Sequence, residues 1–429
     1  MVSLFRTIRS KSQLARAYYL RHGLRAAARR AFQEIWREQV ENTPDGANSW
    51  MLSLPKEGLG SDVTADPLVQ ARVAIIGALD LPQCKKYRVL QKAEALEGHG
   101  CLVDLSSHED VPRAYDRMQL ATSVVFYRVP DGPRMRGYID EARRLGIPAL
   151  YDMDDPVFSR RVYEANRNLL SLLPGERSHL LDNTQAYLSA MRRCDGFIAS
   201  TPYLARLIEE GVGGPVYLWR NAVDSESSMI AREFLGDGTS DADETNRPVR
   251  IGYLSGSRAH DADFQVAAEP LANLLSSNAH LKLVVAGYAT LPEPLVPHEA
   301  RIERRPFTSY RSYFETLRSV DIVIVPLLAD EFNESKSAIR YMEAALVERP
   351  CVASKVGDFR NVVGENTGFL ADSADAWQRS LQDLIDSPSE RLSMGRRARE
   401  HVLSNYETRL IAEHLDHGLL DSLRGGRNG

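Results

Sequence analysis

Short apolar runs recur along the chain with amphipathic stretches between them, and this alternation predicts most of the architecture. The runs Arg72–Gly77, Cys101–Leu105, Ser123–Tyr127, Ile147–Asp152 and Gly196–Ser200 are nearly continuous in apolar residues, as strands of a parallel sheet buried on both faces must be. Val216–Trp219 reads as a last short strand of this series. The pattern lapses in the acidic stretch Gly236–Thr245 and restarts with Val249–Leu254, Leu281–Gly287, Arg301–Glu303, Asp321–Pro326 and Cys351–Ser354. Strand and helix in alternation predict helix-covered parallel sheets, here two in succession. Ligands of such sheets bind beyond the carboxyl ends of the strands, so with two facing domains the natural site is the cleft between them.

The ends of the chain follow other patterns. In residues 3–41, Leu4, Ile8, Leu14, Tyr18, Leu24, Ala28 and Phe32 recur at roughly helical intervals, predicting one or two amphipathic helices. A looser stretch with Pro44, Pro55, Gly58 and Gly60 separates them from the first strand. Helical patterns near 375–386 and 389–420 close the chain, and a frayed tail is expected after Arg424.

At 429 residues the chain exceeds one typical core, and 43% apolar with 26% charged residues are values of a globular protein. The net charge of −5 is uninformative, but residues 1–40 hold nine Lys or Arg against Glu34 and Glu38. That basic segment either docks on anionic phospholipid or packs as a helical appendage. Neither sheet offers the interleaved aromatic and basic platform that nucleic acid needs. Cys84, Cys101, Cys194 and Cys351 are widely spaced, which predicts neither a zinc site nor a disulfide framework. With no apolar leader or spanning run, a cytoplasmic protein is expected, peripheral at the inner face of the membrane if the basic segment binds lipid.

The richest chemistry lies in Asn333–Glu343. Lys336, Arg340 and Glu343 are spaced to share one helical face, beside an apolar stripe of Ile339, Met342 and Leu346. A cation, the Ser337 hydroxyl and a carboxylate at a loop-to-helix junction suit a nucleotide diphosphate, with the helix start facing phosphate and Glu343 facing ribose. A second such junction is Gly256-Ser257-Arg258, where the small residues let backbone approach an anion and Arg258 adds a bidentate donor. His260 follows, and Asp152, Asp154 and Asp155 close the fourth strand.

In order along the chain, Gly256-Ser257-Arg258, Ala286-Gly287, Asp321–Pro326, the Lys336–Glu343 unit with Pro350–Ser354, and Glu365–Leu370 resemble the family-4 retaining glycosyltransferases of the two-Rossmann (GT-B) class. The resemblance covers roughly residues 71–410 and is strongest over 249–370. It implies an α/β fold of two facing Rossmann-like, doubly wound domains, here with an N-terminal helical extension. The expected division is 1–65 extension and linker, 66–224 acceptor-side domain, 225–247 acidic linker, 248–410 nucleotide-sugar domain, and 411–429 C-terminal helix and tail.

The resemblance further implies that Arg258 and Lys336 neutralise the donor diphosphate and that Glu343 binds the ribose. Gly256, Ser257, Gly287 and Ser337 would complete the donor site, with Pro306 and Phe307 bracketing the base. The family carries another glutamate eight positions before the ribose-binding one; here that position is Ser335, so Asn333, Glu334 and Ser335 are expected to replace it jointly. Tyr87 and Arg88 resemble the family's acceptor-facing loop, and Asp152, Asp154, Asp155 and His260 are expected on the acceptor side. The implied reaction is sugar transfer from a nucleotide-diphosphate sugar to a hydroxyl of a glycan or lipid-linked acceptor, with retention, in surface polysaccharide or glycolipid assembly. No metal or cofactor is implied, because the class meets diphosphate charge with Arg, Lys and helix dipoles. The alternatives are a nucleotide-sugar hydrolase or epimerase of the same fold, and a catalytically silent sugar-nucleotide-binding scaffold.

Overall fold

The two series of apolar runs form two parallel sheets of six strands each. The structure, a computed structural model, describes residues 71–80, 82–236, 247–256, 260–306 and 309–425. The first sheet contains β1 (Arg72–Gly77), β2 (Leu102–Ser107), β3 (Ser123–Tyr127), β4 (Ala149–Met153), β5 (Gly196–Ala199) and β6 (Val216–Leu218), ordered β2-β1-β3-β4-β5-β6. The second contains β7 (Val249–Ser255), β8 (Leu281–Gly287), β9 (Ile302–Arg305), β10 (Ile322–Val325), β11 (Cys351–Ser354) and β12 (Phe369–Ala371), ordered β12-β11-β10-β7-β8-β9. Every residue of β3, β4, β5 and β11 is buried, which is why their sequences run apolar without alternation. β12 was not anticipated: three residues carry no periodicity.

The expected linker 225–247 needs correction. Its first part, Ser225–Gly236, is a helix whose Ile230 and Ala231 enter the core of the second domain beside Phe314, Leu317 and Met342. Asp224 starts it by accepting from Ser227 N at 2.9 Å. At the other end, the helices Thr408–Glu413 and His417–Leu423 return to the first sheet, where Ala412, Leu415, Leu419 and Leu423 pack with Val73, Ile75, Val125 and Tyr127. The chain thus crosses between the domains twice, and the cleft is tied at both crossings. The extension 1–65, the acidic residues 237–246, and Ser257, Arg258 and Phe307 lie outside the described residues. No helix among the described residues is long and apolar enough to cross a membrane.

Candidate functional site

β7 and β10 are neighbours although β8 and β9 lie between them in sequence, so the strand order reverses at this pair. Helices leaving the two strands diverge there and open a crevice at the carboxyl ends. Tyr253, Leu254, Ser255 and Gly256 at the end of β7, with Val323–Leu327 at the end of β10, line an open cleft. A Cβ on Gly256 would stand 3.2 Å from Gln83 Nε2 of the first domain, so the missing side chain lets this turn approach the opposite wall.

The second-domain wall continues with Lys336, Ser337, Ile339 and Arg340. The helix carrying Arg340 begins only at Ile339, so Lys336 lies in the preceding loop and the shared helical face holds for Arg340 and Glu343 alone. This loop is seated on Gly357, whose φ of 59° favours glycine and whose Cβ would stand 2.7 Å from Asn333 O and 2.9 Å from Lys336 O. Lys336 Nζ also sits 4.7 Å over the Phe332 ring.

Glu343, expected to face ribose, does not line the open cleft; its carboxylate is met from the cleft side by the hydroxyl of Tyr87. It is 1% exposed, and its oxygens accept from Tyr87 (2.5 Å), Tyr310 (3.1 Å), Tyr313 (2.8 Å) and Arg340 (3.1 Å). Burial and then the Glu343 charge push the Tyr87 phenol well above its ordinary pKa, so this hydroxyl keeps its proton and donates. Tyr87 belongs to the first domain and is itself a wall residue.

His260 lines the cleft and is oriented from behind. Its Nδ1 lies 3.0 Å from Asp263, a fully buried carboxylate that also accepts from Asn168 Nδ2 (2.9 Å), Leu328 N (2.9 Å) and Asn333 Nδ2 (2.7 Å). Held through Nδ1 against a carboxylate that is itself fixed by these donors, the imidazole leaves Nε2 for the cleft. Asn168 comes from the first domain, and its Oδ1 accepts from Ala262 N and Asp263 N.

The first-domain wall consists of Tyr87, Asp154, Asp155 and Asn221. Arg128 reaches Asp154 at 2.7 Å and Asp155 at 2.6 Å, and Asp155 also meets Lys336 Nζ at 2.7 Å across the cleft. Burial alone would raise the Asp155 carboxyl, but the Lys336 and Arg128 charges outweigh it and hold it down at about 2. Arg128 adopts φ 50°, a left-handed conformation costly for a side chain of this size and kept here by its two ion pairs.

Asp152 and Arg88 do not face an acceptor, contrary to expectation. Both are fully buried and paired with each other, and Lys92 Nζ adds a second cation 2.7 Å from Asp152. Burial, reinforced by Arg88, brings Lys92 down to about 7 against the pull of Asp152. The split follows position along the strand: Asp152 lies inside β4 and is enclosed on every side, while Asp154 and Asp155 follow the strand's carboxyl end. The buried cluster still reaches the cleft. Arg88 donates to Trp219 O (2.9 Å) and Asn221 Oδ1 (2.8 Å), and Asn221 Nδ2 donates to Ser337 Oγ (2.8 Å).

Other expected donor residues stand away from the cleft. Asn333 is buried with its amide on Asp263 and Leu328 O. Glu334 pairs with Arg360 and accepts from Gly357 N, and Ser335 is buried with its carbonyl accepting from Thr201. These three are therefore not a substitute for the missing glutamate; they anchor the loop. Gly287 (φ 89°) and Pro306 do not line the cleft. Sequence reading missed Arg128, Asn221 and Tyr253 as neighbours of the site. Arg128 and Asn221 each follow a strand's carboxyl end, which was the available signal.

The model of the family described as glycosyl transferases group 1 matches residues 249–387, the second domain. No functionally curated protein matches the chain. Solved structures similar to it include HepE of Anabaena in complex with UDP, at 11% identity and TM-score 0.55 over 82% of this chain and 99% of that one. Sucrose-phosphate synthase from Thermosynechococcus elongatus is similar at 15% identity and TM-score 0.53, over 82% and 98%. A UDP-forming trehalose-phosphate synthase from Burkholderia xenovorans follows at 10% identity and TM-score 0.52, over 84% and 100%. At such identities the likeness is one of fold, and it extends over both domains.

Proposed function

We propose that the protein, whose residues 249–387 match the model of the glycosyl transferases group 1 family, transfers a sugar, with retention, from a nucleotide-diphosphate sugar to a hydroxyl of a glycan or lipid-linked acceptor. The observation that carries this reading is the presence of Lys336 and Arg340 together in the cleft at the strand-order reversal of the second sheet. As the bond from the anomeric carbon to the diphosphate oxygen breaks, negative charge grows on the leaving group. Lys336, the backbone at the start of the Ile339 helix and Arg258, two residues beyond Gly256 in the chain, supply positive potential for it. The acceptor oxygen forms the new bond on the same face, and its proton passes to the departing phosphate. His260 Nε2 and the Asn221 amide are positioned as hydrogen-bonding groups for sugar hydroxyls. The setting that fits a lipid-linked acceptor is assembly of surface glycan or glycolipid, with the basic segment 1–40 on anionic lipid.

Incubation with radiolabelled nucleotide sugars, with and without a membrane-lipid extract, tests the reading. Label in lipid or glycan is expected, and Lys336→Ala should lower transfer by about 10²–10³-fold, the usual effect of removing one charge-stabilising donor. Release of free sugar alone would make the protein a hydrolase, and binding without turnover a silent scaffold; either outcome rejects the proposal.

A further inference from the structure

We propose that the first domain carries an internal mimic of the nucleotide donor: the Asp155 carboxylate stands in for a phosphate on Lys336, and the Tyr87 hydroxyl for a ribose hydroxyl on Glu343. The inference rests on the donor-site reading above and adds that the site is occupied by the protein's own side chains until the donor displaces them. Asp155 Oδ1 lies 2.7 Å from Lys336 Nζ, the distance a phosphate oxygen would take. The other three donors on Glu343 come from the second domain, whereas Tyr87 reaches it across the cleft. Ser337, between these two positions, is engaged from the same side by Asn221. Lys336, Ser337 and Glu343 are therefore each met by a first-domain side chain of matching chemistry: an anion for the cation, a hydroxyl for the carboxylate and an amide for the hydroxyl.

The arrangement is built for exchange. Asp155 has a second holder, Arg128, at 2.6 Å, so a phosphate can take Lys336 without leaving the carboxylate unpaired in a half-buried wall. Tyr87 is only half-buried and borders the cleft, which leaves its ring a way out. Donor affinity is then the difference between two sets of contacts.

Two probes separate the parts of the mimic: inorganic pyrophosphate, which has no ribose, and UDP, which has both groups. Binding of each is measured by calorimetry to the full-length protein and its variants. Asp155→Asn should tighten both probes by about three- to tenfold, the scale of one partly buried ion pair. Tyr87→Phe should tighten UDP by a smaller factor and leave pyrophosphate unchanged. In a Lys336→Ala background the Asp155→Asn gain should vanish, and Asp155→Ala should repeat the direction of Asp155→Asn. If Lys336→Ala weakens pyrophosphate but Asp155→Asn and Asp155→Ala leave it equal or weaker, Asp155 is an ordinary structural ion pair and the mimic is wrong. If neither probe binds the wild type or the Asp155 variants, or if Lys336→Ala changes nothing, the donor-site reading fails and the mimic with it.

Discussion

The two walls of the cleft come from sheets of the same size and strand direction, yet they are built in opposite ways. The first wall is acidic and fixed in depth: Asp154 and Asp155 rest on Arg128, and beneath them Asp152 is buried between Arg88 and Lys92. The second presents Lys336 and Arg340 on a loop and a first helical turn, seated by Gly357 and by the donors on Asp263. Charge is thus structural in one domain and available to ligand in the other. The complementarity of the walls ties them to each other across the cleft, and the difference in depth decides which wall a mutation can alter without unfolding its domain.

The sharpest way to break the comparison is Asp152→Asn. It leaves Arg88 and Lys92 uncompensated in the core, and a loss of about 3–5 kcal/mol is expected in denaturant unfolding; a loss under about 1 kcal/mol would mean that the first wall is not anchored by buried charge. Asp263→Asn comes next. An amide there turns hydrogens toward the amides of Asn168 and Asn333, and about 2–3 kcal/mol should be lost, together with the orientation of His260. Unfolding followed at a tryptophan, with the His260 imidazole resonance as second readout, checks both parts.

Acid sharpens the contrast further. The Asp155 carboxyl is held at about 2 in the folded protein, below the unfolded value of about 3.9. Its contribution is therefore complete above about pH 4 and is lost as pH falls through 2, and after solvent screening it should amount to about 1 kcal/mol. Comparing the acid unfolding of wild type with Asp155→Asn isolates it: the variant should lack this component. The smallest effect is expected from Lys92→Met. The cluster holds two cations for one carboxylate, so removing the extra charge and keeping its volume should change stability at pH 7 by less than about 1 kcal/mol, in either direction. A large loss would show that both cations are needed to seat Asp152.

Legibility in the sequence differed between the walls as their construction does. The second was readable because Gly256, Lys336 and Arg340 act near where they stand in the chain, on a strand end and a loop-to-helix junction. The first was readable only as strands. Arg88, Asp152 and Lys92 look like surface charges in a one-dimensional pattern, and nothing local marks them as a buried cluster. The same limit explains Asn333, Glu334 and Ser335, which hold the loop through Asp263, Arg360 and Thr201, residues between 26 and 134 positions away.

What the sequence alone determined is the pair of parallel sheets, since continuous apolar runs spaced by amphipathic helices leave few other ways to bury both faces of a strand. It also placed a cation and a glycine turn at the strand ends where a ligand of such a sheet binds. Tertiary structure alone decided which polar groups face the cleft and which are consumed behind it. That choice depends on the partner each charge meets from the other domain: Asp155 finds Lys336, Tyr87 finds Glu343 and Asn168 finds Asp263, across 181, 256 and 95 residues of chain. Electrostatic and hydrogen-bond partners at such separations follow from packing, because the energy of a charge is set by its surroundings and not by its neighbours in sequence.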